Sequence, residues 1–298
     1  ESTLNPETRR SGGMHYTSIE NIHKVIDPLF LDGLRAELEE IKEIAVDKTR
    51  KAKLKAFQGK LAGLKFLDPA CGSGNFLTET YLSLRKLENE VLRCITDQIS
   101  MDLDGIIQVS IGQFYGIEIN DFAVTVAKTA LWIAESQMMK ETEDVVHMTL
   151  DFLPLKSYAN ITEGNALRLD WESVVPKHEL NYIMGNPPFV GQTFRSKEQA
   201  EEVKAVFANN PKAGKLDYVA AWYKLAAVYM QRPQINAAFV STNSISQGEQ
   251  VAILWRDLFE NYSIEIIFAH RSFVWTSEAA EKAAVHCVIV GFSCYHGQ

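Results

Sequence analysis

Phe66-Leu67-Asp68-Pro69-Ala70-Cys71-Gly72-Ser73-Gly74-Asn75-Phe76-Leu77 decides how this chain folds. An apolar run from Leu64 to Leu67 ends in an acid and a glycine-bearing turn, and apolar residues then recur at helical spacing from Phe76 to Val91. Strand, tight turn and helix in that order place the turn at the carboxyl edge of an α/β sheet, where such sheets bind ligands. Gly72 and Gly74 let the backbone approach that ligand closely. A dinucleotide-binding turn wants a third glycine where Leu77 stands, and the carboxylate of Asp68 is a poor neighbour for a pyrophosphate. An acid in that place suits a cationic ligand.

Outward from this turn the pattern repeats. Phe114 to Ile119 predicts a strand and Ala123 to Met139 a helix, followed by strands near Asn160 to Thr162 and at Tyr182 to Met184. A helix from Tyr218 to Met230, a strand from Ala237 to Val240, a helix from Glu249 to Glu260 and a strand from Ile264 to Phe268 continue the alternation. Alternation of this kind builds a parallel sheet with crossover helices. The last apolar run, Ala284 to Phe292, has no helix before it and is expected to pair antiparallel with its predecessor as a hairpin. Before the turn, Ile22, Val25, Ile26, Leu29, Leu34, Leu38 and Ile41 predict helices broken at Pro28 and Gly33. The expected division is a helical section over 1–62 and an α/β domain over 63–298.

The whole chain has 298 residues and a net charge of −8, which argues against nucleic-acid binding over its entire surface. Local patches remain open to it. Residues 48–60 carry Lys48, Arg50, Lys51, Lys53, Lys55 and Lys60 without an acid, a run that suits either a solvated helix face or phosphate contact. The four cysteines lack zinc-site spacing, and neither a leader nor a long apolar span is evident, so a reducing, cytoplasmic setting without membrane or metal is expected. The polar opening through Gly13 reads as a segment of a longer chain.

Three further motifs carry chemistry. In Tyr115-Gly116-Ile117-Glu118-Ile119-Asn120, the Glu118 carboxylate at a strand end can accept both hydroxyls of a ribose, with Ile119 available to pack on an adenine ring. In Glu163-Gly164-Asn165-Ala166-Leu167, Asn165 can hydrogen-bond the edge of that adenine or cap the next turn. A cationic group for Asp68 combined with a ribose and an adenine describes S-adenosylmethionine, whose methionine portion carries an ammonium and a sulfonium. Asn186-Pro187-Pro188-Phe189 ends the strand that begins at Tyr182. Pro188 holds Pro187 extended, so the Asn186 side-chain oxygen and the Pro187 carbonyl can converge on one NH₂ donor, with the Phe189 ring as a stacking face.

In order and spacing these motifs resemble the S-adenosylmethionine-dependent DNA methyltransferases that act on exocyclic amino groups, over nearly the whole chain. The resemblance implies a class I, Rossmann-like, mostly parallel seven-stranded sheet with a reversed last strand, preceded by the helical section. It implies that Asp68, Ala70, Cys71, Gly72, Gly74 and Asn75 bind the methionine portion, that Glu118 binds the ribose, and that Asn186 through Phe189 form the catalytic motif. Met14-His15-Tyr16-Thr17-Ser18 resembles the additional cofactor-side motif of the gamma arrangement, which implies cofactor contacts from Tyr16 and Thr17. Gamma enzymes methylate adenine at N6, and cytosine-N4 enzymes usually carry Ser where Asn186 stands. Asn165 departs from the family, which commonly has an acid there.

The wording Gly116-Ile117-Glu118-Ile119-Asn120-Asp121-Phe122-Ala123, followed by Ala130-Leu131-Trp132-Ile133-Ala134-Glu135, is most similar to the methyltransferase region of large MmeI-like restriction-modification enzymes. Double-stranded DNA is the implied partner. That similarity implies a target-recognition domain after these residues in the full chain and leaves room for a nuclease domain before them. The segment from Gln192 to Lys215, with Arg195, Lys197, Lys204, Lys212 and Lys215, suits contacts to phosphates flanking a flipped base, although Glu198, Glu201 and Glu202 also suit a solvated helix. Trp222 and Tyr223 read as core. Two alternatives share the Asn-Pro-Pro chemistry: a protein glutamine N5-methyltransferase, and a noncatalytic scaffold that binds the cofactor.

Overall fold

A computed structural model describes residues 17–95, 106–147, 149, 159–208, 210–231, 234–275 and 285–294. Its centre is a seven-stranded sheet in the order β3-β2-β1-β4-β5-β7-β6. The strands are β1 (Phe66–Asp68), β2 (Phe114–Glu118), β3 (Asn160–Glu163), β4 (Tyr182–Gly185), β5 (Asn236–Thr242), β6 (Ile264–Trp275) and β7 (Val285–Cys294). All pairings from β3 across to β5 are parallel, while β7 runs antiparallel to both β5 and β6. The mostly parallel sheet with a reversed last strand is therefore as expected. Its last strand does more than close a hairpin, because it inserts between β5 and β6.

From β1 the chain steps outward through β2 to β3 and then returns to β4 on the other side of β1. That reversal opens a crevice beyond the carboxyl ends of β1 and β4. Asp68 ends one of these strands, and Asn186 follows the other. Every residue of β1 is buried, as its central place between two crossover layers requires.

Among the described residues eight helices flank the sheet: α1 (Ile19–Ile26), α2 (Asp32–Lys42), α3 (Asp47–Gly63), α4 (Asn75–Ile95), α5 (Asp121–Val146), α6 (Lys197–Val206), α7 (Ala220–Tyr229) and α8 (Gly248–Tyr262). Among the described residues, none of them is long and apolar enough to cross a membrane. The expected breaks at Pro28 and Gly33 are corrected. Asp27–Leu31 forms a π-helical turn that joins α1 to α2, with Asp32 N–H donating to Asp27 O, and Gly33 lies inside the first turn of α2. Pro28 sits at the start of the wide turn, where its missing N–H is tolerated.

The buried face of these first helices joins the core of the sheet. The Phe30 ring lies 5.1 Å from Phe66 and 4.9 Å from Tyr182, and Phe66 stacks on Phe114 at 5.2 Å. Such aromatic pairs add roughly 0.5–1.5 kcal/mol each beyond the area they bury. This packing brings Thr17, just before α1, to the residue that follows β4. Tyr16, the other predicted residue of that motif, lies outside the described residues, as does the polar opening through Gly13.

Candidate functional site

The glycine turn after β1 is held by backbone bonds and by one carboxylate. Asp68, 1 % exposed, accepts from Ala70 N–H at 3.0 Å, and Cys71 N–H donates to Ile117 O at 3.1 Å. Gly72 and Gly74 adopt φ of 52° and 82°, so both require glycine for the turn to close. At Gly74 a side chain would also meet Ala127 Cβ at 3.0 Å, which is how closely α5 packs on the turn. Asn75 begins α4. The thiol of Cys71 is buried against Gly116, where an added Cβ would lie 2.7 Å from Sγ. Burial holds that thiol well above its ordinary pKa, so it is a packing group and not a nucleophile.

Glu118 links the turn to the end of β2. One of its oxygens accepts from Gly72 N–H at 2.8 Å, and the other accepts from Asn120 N–H at 2.9 Å. Burial raises both acids of the crevice against these hydrogen bonds: Glu118 moves above the usual carboxylate range, and Asp68 is pushed up to about 8. Two desolvated carboxylates with no cationic partner among the described residues form a site suited to positive charge and to hydroxyl donors. The residues present thus fit S-adenosylmethionine, with Asp68 facing an ammonium and Glu118 a ribose. Ile119 is 64 % exposed beside Glu118, an apolar surface open to an adenine ring.

The Asn-Pro-Pro-Phe motif meets this site directly. Gly185, the last residue of β4, lies so close to Asp68 that an added Cβ would come within 2.9 Å of the Asp68 Cγ. Asn186 follows. Its Nδ2 donates to Thr17 Oγ1 at 3.4 Å, and Thr17 is itself buried at 3 % exposure. With the amide nitrogen turned to Thr17, the Asn186 Oδ1 has no partner among the described residues and remains an open acceptor. Pro187 is buried, and Phe189 is half-buried between the two halves of the core. Val190 is bracketed on both sides, its N–H donating to Asp217 Oδ1 at 3.1 Å and its carbonyl accepting from Tyr218 N–H at 3.0 Å.

This bracket closes a flap from Gln192 to Lys215. It consists of a short turn (Gln192–Phe194), α6 and a second turn (Pro211–Lys215), tied across by Arg195 Nη2 donating to Gly214 O. Phe194 stands at the outer end, 85 % exposed. Lys197, Lys204 and Lys212 are exposed without an ion-pair partner among the described residues, whereas Lys215 pairs with Glu249 at 2.6 Å. Glu202 is a correction to the solvated-helix reading. It is buried, and its carboxylate accepts from Asn165 Nδ2 at 2.7 Å and from Tyr218 Oη at 2.5 Å. Asn165 also caps its own turn, with Oδ1 accepting from Leu167 N–H at 2.9 Å.

The predicted residues Thr17, Asp68, Ala70, Cys71, Gly72, Gly74, Glu118 and Asn186 thus share one crevice. Asn165 borders it through Gly164, whose N–H donates to Glu118 O at 2.8 Å. Gly185, Asp217, Tyr218 and Glu202 were missed. Only Gly185 carried a local signal, a glycine between a strand and the Asn-Pro-Pro motif. Trp222 and Tyr223 are core, as read: Trp222 Nε1 donates to Pro69 O at 3.1 Å and Tyr223 Oη is 2.6 Å from Ser241 Oγ. In the basic run on α3, Arg50 and Lys51 pair with Asp47, and Lys60 pairs with Glu37. Two acids, Asp47 and Glu37, thus offset two of the six positive charges of that run.

Comparison with known proteins adds a family. A family model described as MmeI, DNA-methyltransferase domain, matches residues 43–298. A protein named DNA methyltransferase A from Bacillus subtilis (strain 168) is 43 % identical over 295 residues, covering 98 % of this chain and 33 % of its own length. The solved structure of the type IIL restriction-modification enzyme MmeI in complex with DNA superposes with a TM-score of 0.92 at 47 % identity, covering all of this chain and 39 % of that one. A DrdV–DNA complex, at 16 % identity and a TM-score of 0.54 over 98 % of this chain and 28 % of that one, shares the fold. The chain spans between a third and two fifths of the length of the first two relatives.

Proposed function

Because this chain belongs to the family of the MmeI DNA-methyltransferase domain, we propose that it methylates the N6 amino group of an adenine turned out of double-stranded DNA. S-adenosylmethionine is the methyl donor, and the chain is the methylating part of a larger restriction-modification enzyme. The observation that carries this reading is the open Oδ1 of Asn186, oriented by Thr17 and set one residue from the Asp68 contact at the switch point. Bound there, S-adenosylmethionine supplies a methyl group on a cationic sulfur, an electrophile that needs no metal and no covalent enzyme intermediate.

The residues of the chain do the rest. Asp68 and Glu118 hold the ammonium and the ribose. Asn186 Oδ1 and the Pro187 carbonyl accept hydrogen bonds from the two amino N–H groups of the target base, which draws its nitrogen out of conjugation and frees the lone pair; the one proton that the methylated nitrogen sheds passes to water. Phe189 offers its ring to the flipped base, whose removal from the stack costs a few kcal/mol. The exposed flap, with Phe194 and three unpaired lysines, faces the DNA around that base. Family membership favours DNA over a glutamine amide as substrate, and Asn186 rather than Ser favours adenine over cytosine.

The test is transfer of a labelled methyl group to duplex DNA, with the DNA then digested to nucleosides. N6-methyl-2′-deoxyadenosine is expected, whereas label in N4-methyl-2′-deoxycytidine, or transfer to a peptide instead of DNA, would overturn the assignment. Asn186→Ala should lower methyl transfer on the order of a hundredfold or more while binding of S-adenosylhomocysteine survives. Near-normal turnover of that variant would remove Asn186 from the mechanism.

A further inference from the structure

We infer that Glu202 orients the Asn165 amide so that its oxygen faces the adenine of the cofactor, which makes Glu202 a positioning residue for cofactor recognition. This rests on the cofactor placement proposed above and adds a residue from a different part of the chain. Glu202 lies on α6 in the flap, 37 residues beyond Asn165. At 6 % exposure its carboxylate receives Asn165 Nδ2 at 2.7 Å, Arg168 Nη2 at 2.8 Å and Tyr218 Oη at 2.5 Å.

An ionised carboxylate only accepts hydrogen bonds, so the group that faces it must be the amide nitrogen. The flipped amide would set Asn165 Oδ1 against Glu202 Oε1 with no proton between them. Thus the oxygen is forced to the opposite side. There it takes one bond from Leu167 N–H at 2.9 Å, and a carbonyl oxygen has a second lone pair to offer. The side chain is half-buried and therefore reachable. The bond from Gly164 N–H to Glu118 O places Asn165 beside Glu118 and Ile119, where the ribose and adenine are held.

An acceptor at that place matches the exocyclic NH₂ of adenine and repels an oxo group. An acidic residue would present such an acceptor unaided, whereas an amide presents one only if its nitrogen is occupied.

Calorimetric binding of S-adenosylhomocysteine and of its deaminated counterpart, S-inosylhomocysteine, tests this without reference to activity. The unsubstituted chain should prefer the adenosyl compound by about tenfold or more, the scale expected when one buried hydrogen bond is exchanged for a clash of acceptors. In Glu202→Leu, the Asn165 nitrogen loses its acceptor and only the Leu167 N–H bond holds the amide, so the preference should fall to within about threefold. In Asn165→Asp/Glu202→Leu, the acid needs no orienting, so the preference should return.

Retention of the full preference by Glu202→Leu overturns the inference, as does its loss in the double variant. If Glu202→Leu does not fold, Asn165→Ala takes its place: loss of the preference is expected, and retention overturns the inference. Absence of S-adenosylhomocysteine binding by the unsubstituted chain overturns the cofactor placement and this inference together, whereas normal binding with an unchanged ratio in Glu202→Leu overturns this inference only.

Discussion

At the scale of single residues, Asp68 is where folding and ligand binding pull against each other. Its carboxyl is pushed up to about 8 by burial, with the nearby Glu118 charge acting in the same direction. In the unfolded chain it titrates near 3.8. Between those two values the folded, cofactor-free protein holds a proton that the unfolded chain has released, so stability falls as pH rises through that window. Thermal melts of the cofactor-free protein should therefore drop from pH 6 to pH 8, and drop less in Asp68→Asn, which keeps the shape without the titration. An ammonium ligand favours the ionised acid, so affinity for S-adenosylhomocysteine should rise over the same interval and lose that dependence in the variant. Equal pH slopes for the two proteins would show that Asp68 is not the group responsible. The glycines, Asp68, Glu118 and Asn186 were legible in the sequence because each sits at the end of a recognisable strand. The partners that orient the amides were not. Thr17 lies 169 residues from Asn186 along the chain, and Glu202 sits among charged neighbours that give no sign of its burial.

At the scale of elements, the helices on one side of the sheet are joined by a buried polar knot. Arg85 and Glu88 on α4 are fully buried and paired. Glu88 also accepts from Gln58 Nε2 of α3 at 2.8 Å and from Gln108 N–H at 2.6 Å, while Arg85 donates to Thr142 Oγ1 of α5 at 2.7 Å. Removing one partner of such a pair leaves a charge buried without compensation. Glu88→Ala should lower stability by about 3–5 kcal/mol, read as an earlier urea midpoint. A loss below about 1 kcal/mol would mean that water or another group reaches Arg85. β1, β2, β4 and β5 are readable as short apolar runs because most of their residues are buried, whereas β3, at the sheet edge, is mostly polar. The apolar run predicts a strand ending at Phe268, but β6 continues to Trp275. Its later part includes His270 and Arg271 on an edge strand with register shifts, and neither apolar periodicity nor alternation marks such a stretch.

At the scale of the whole molecule, a protein of net charge −8 must approach a polyanion through a local surface, and two surfaces compete for that role. On α3, Lys48, Lys53 and Lys55 are exposed and unpaired among the described residues; on the flap, Lys197, Lys204 and Lys212 are. The flap is the better placed of the two. It leaves the sheet at the end of the Asn-Pro-Pro-Phe motif and is bracketed to it through Val190, Asp217 and Tyr218, so its charges are fixed relative to that motif. Each phosphate contact that is lost should lower the slope of log affinity against log salt by about 0.9. Replacing the three flap lysines with Gln should therefore weaken binding to all duplex sequences alike and reduce the slope by up to about 2–3, measured by fluorescence anisotropy with S-adenosylhomocysteine present. The matching triple on α3 should leave the slope at the parent value. If the α3 substitutions carry the salt dependence and the flap substitutions do not, the DNA lies across the helical section, and the flap serves only to hold Glu202 and Asp217 in place behind the catalytic motif.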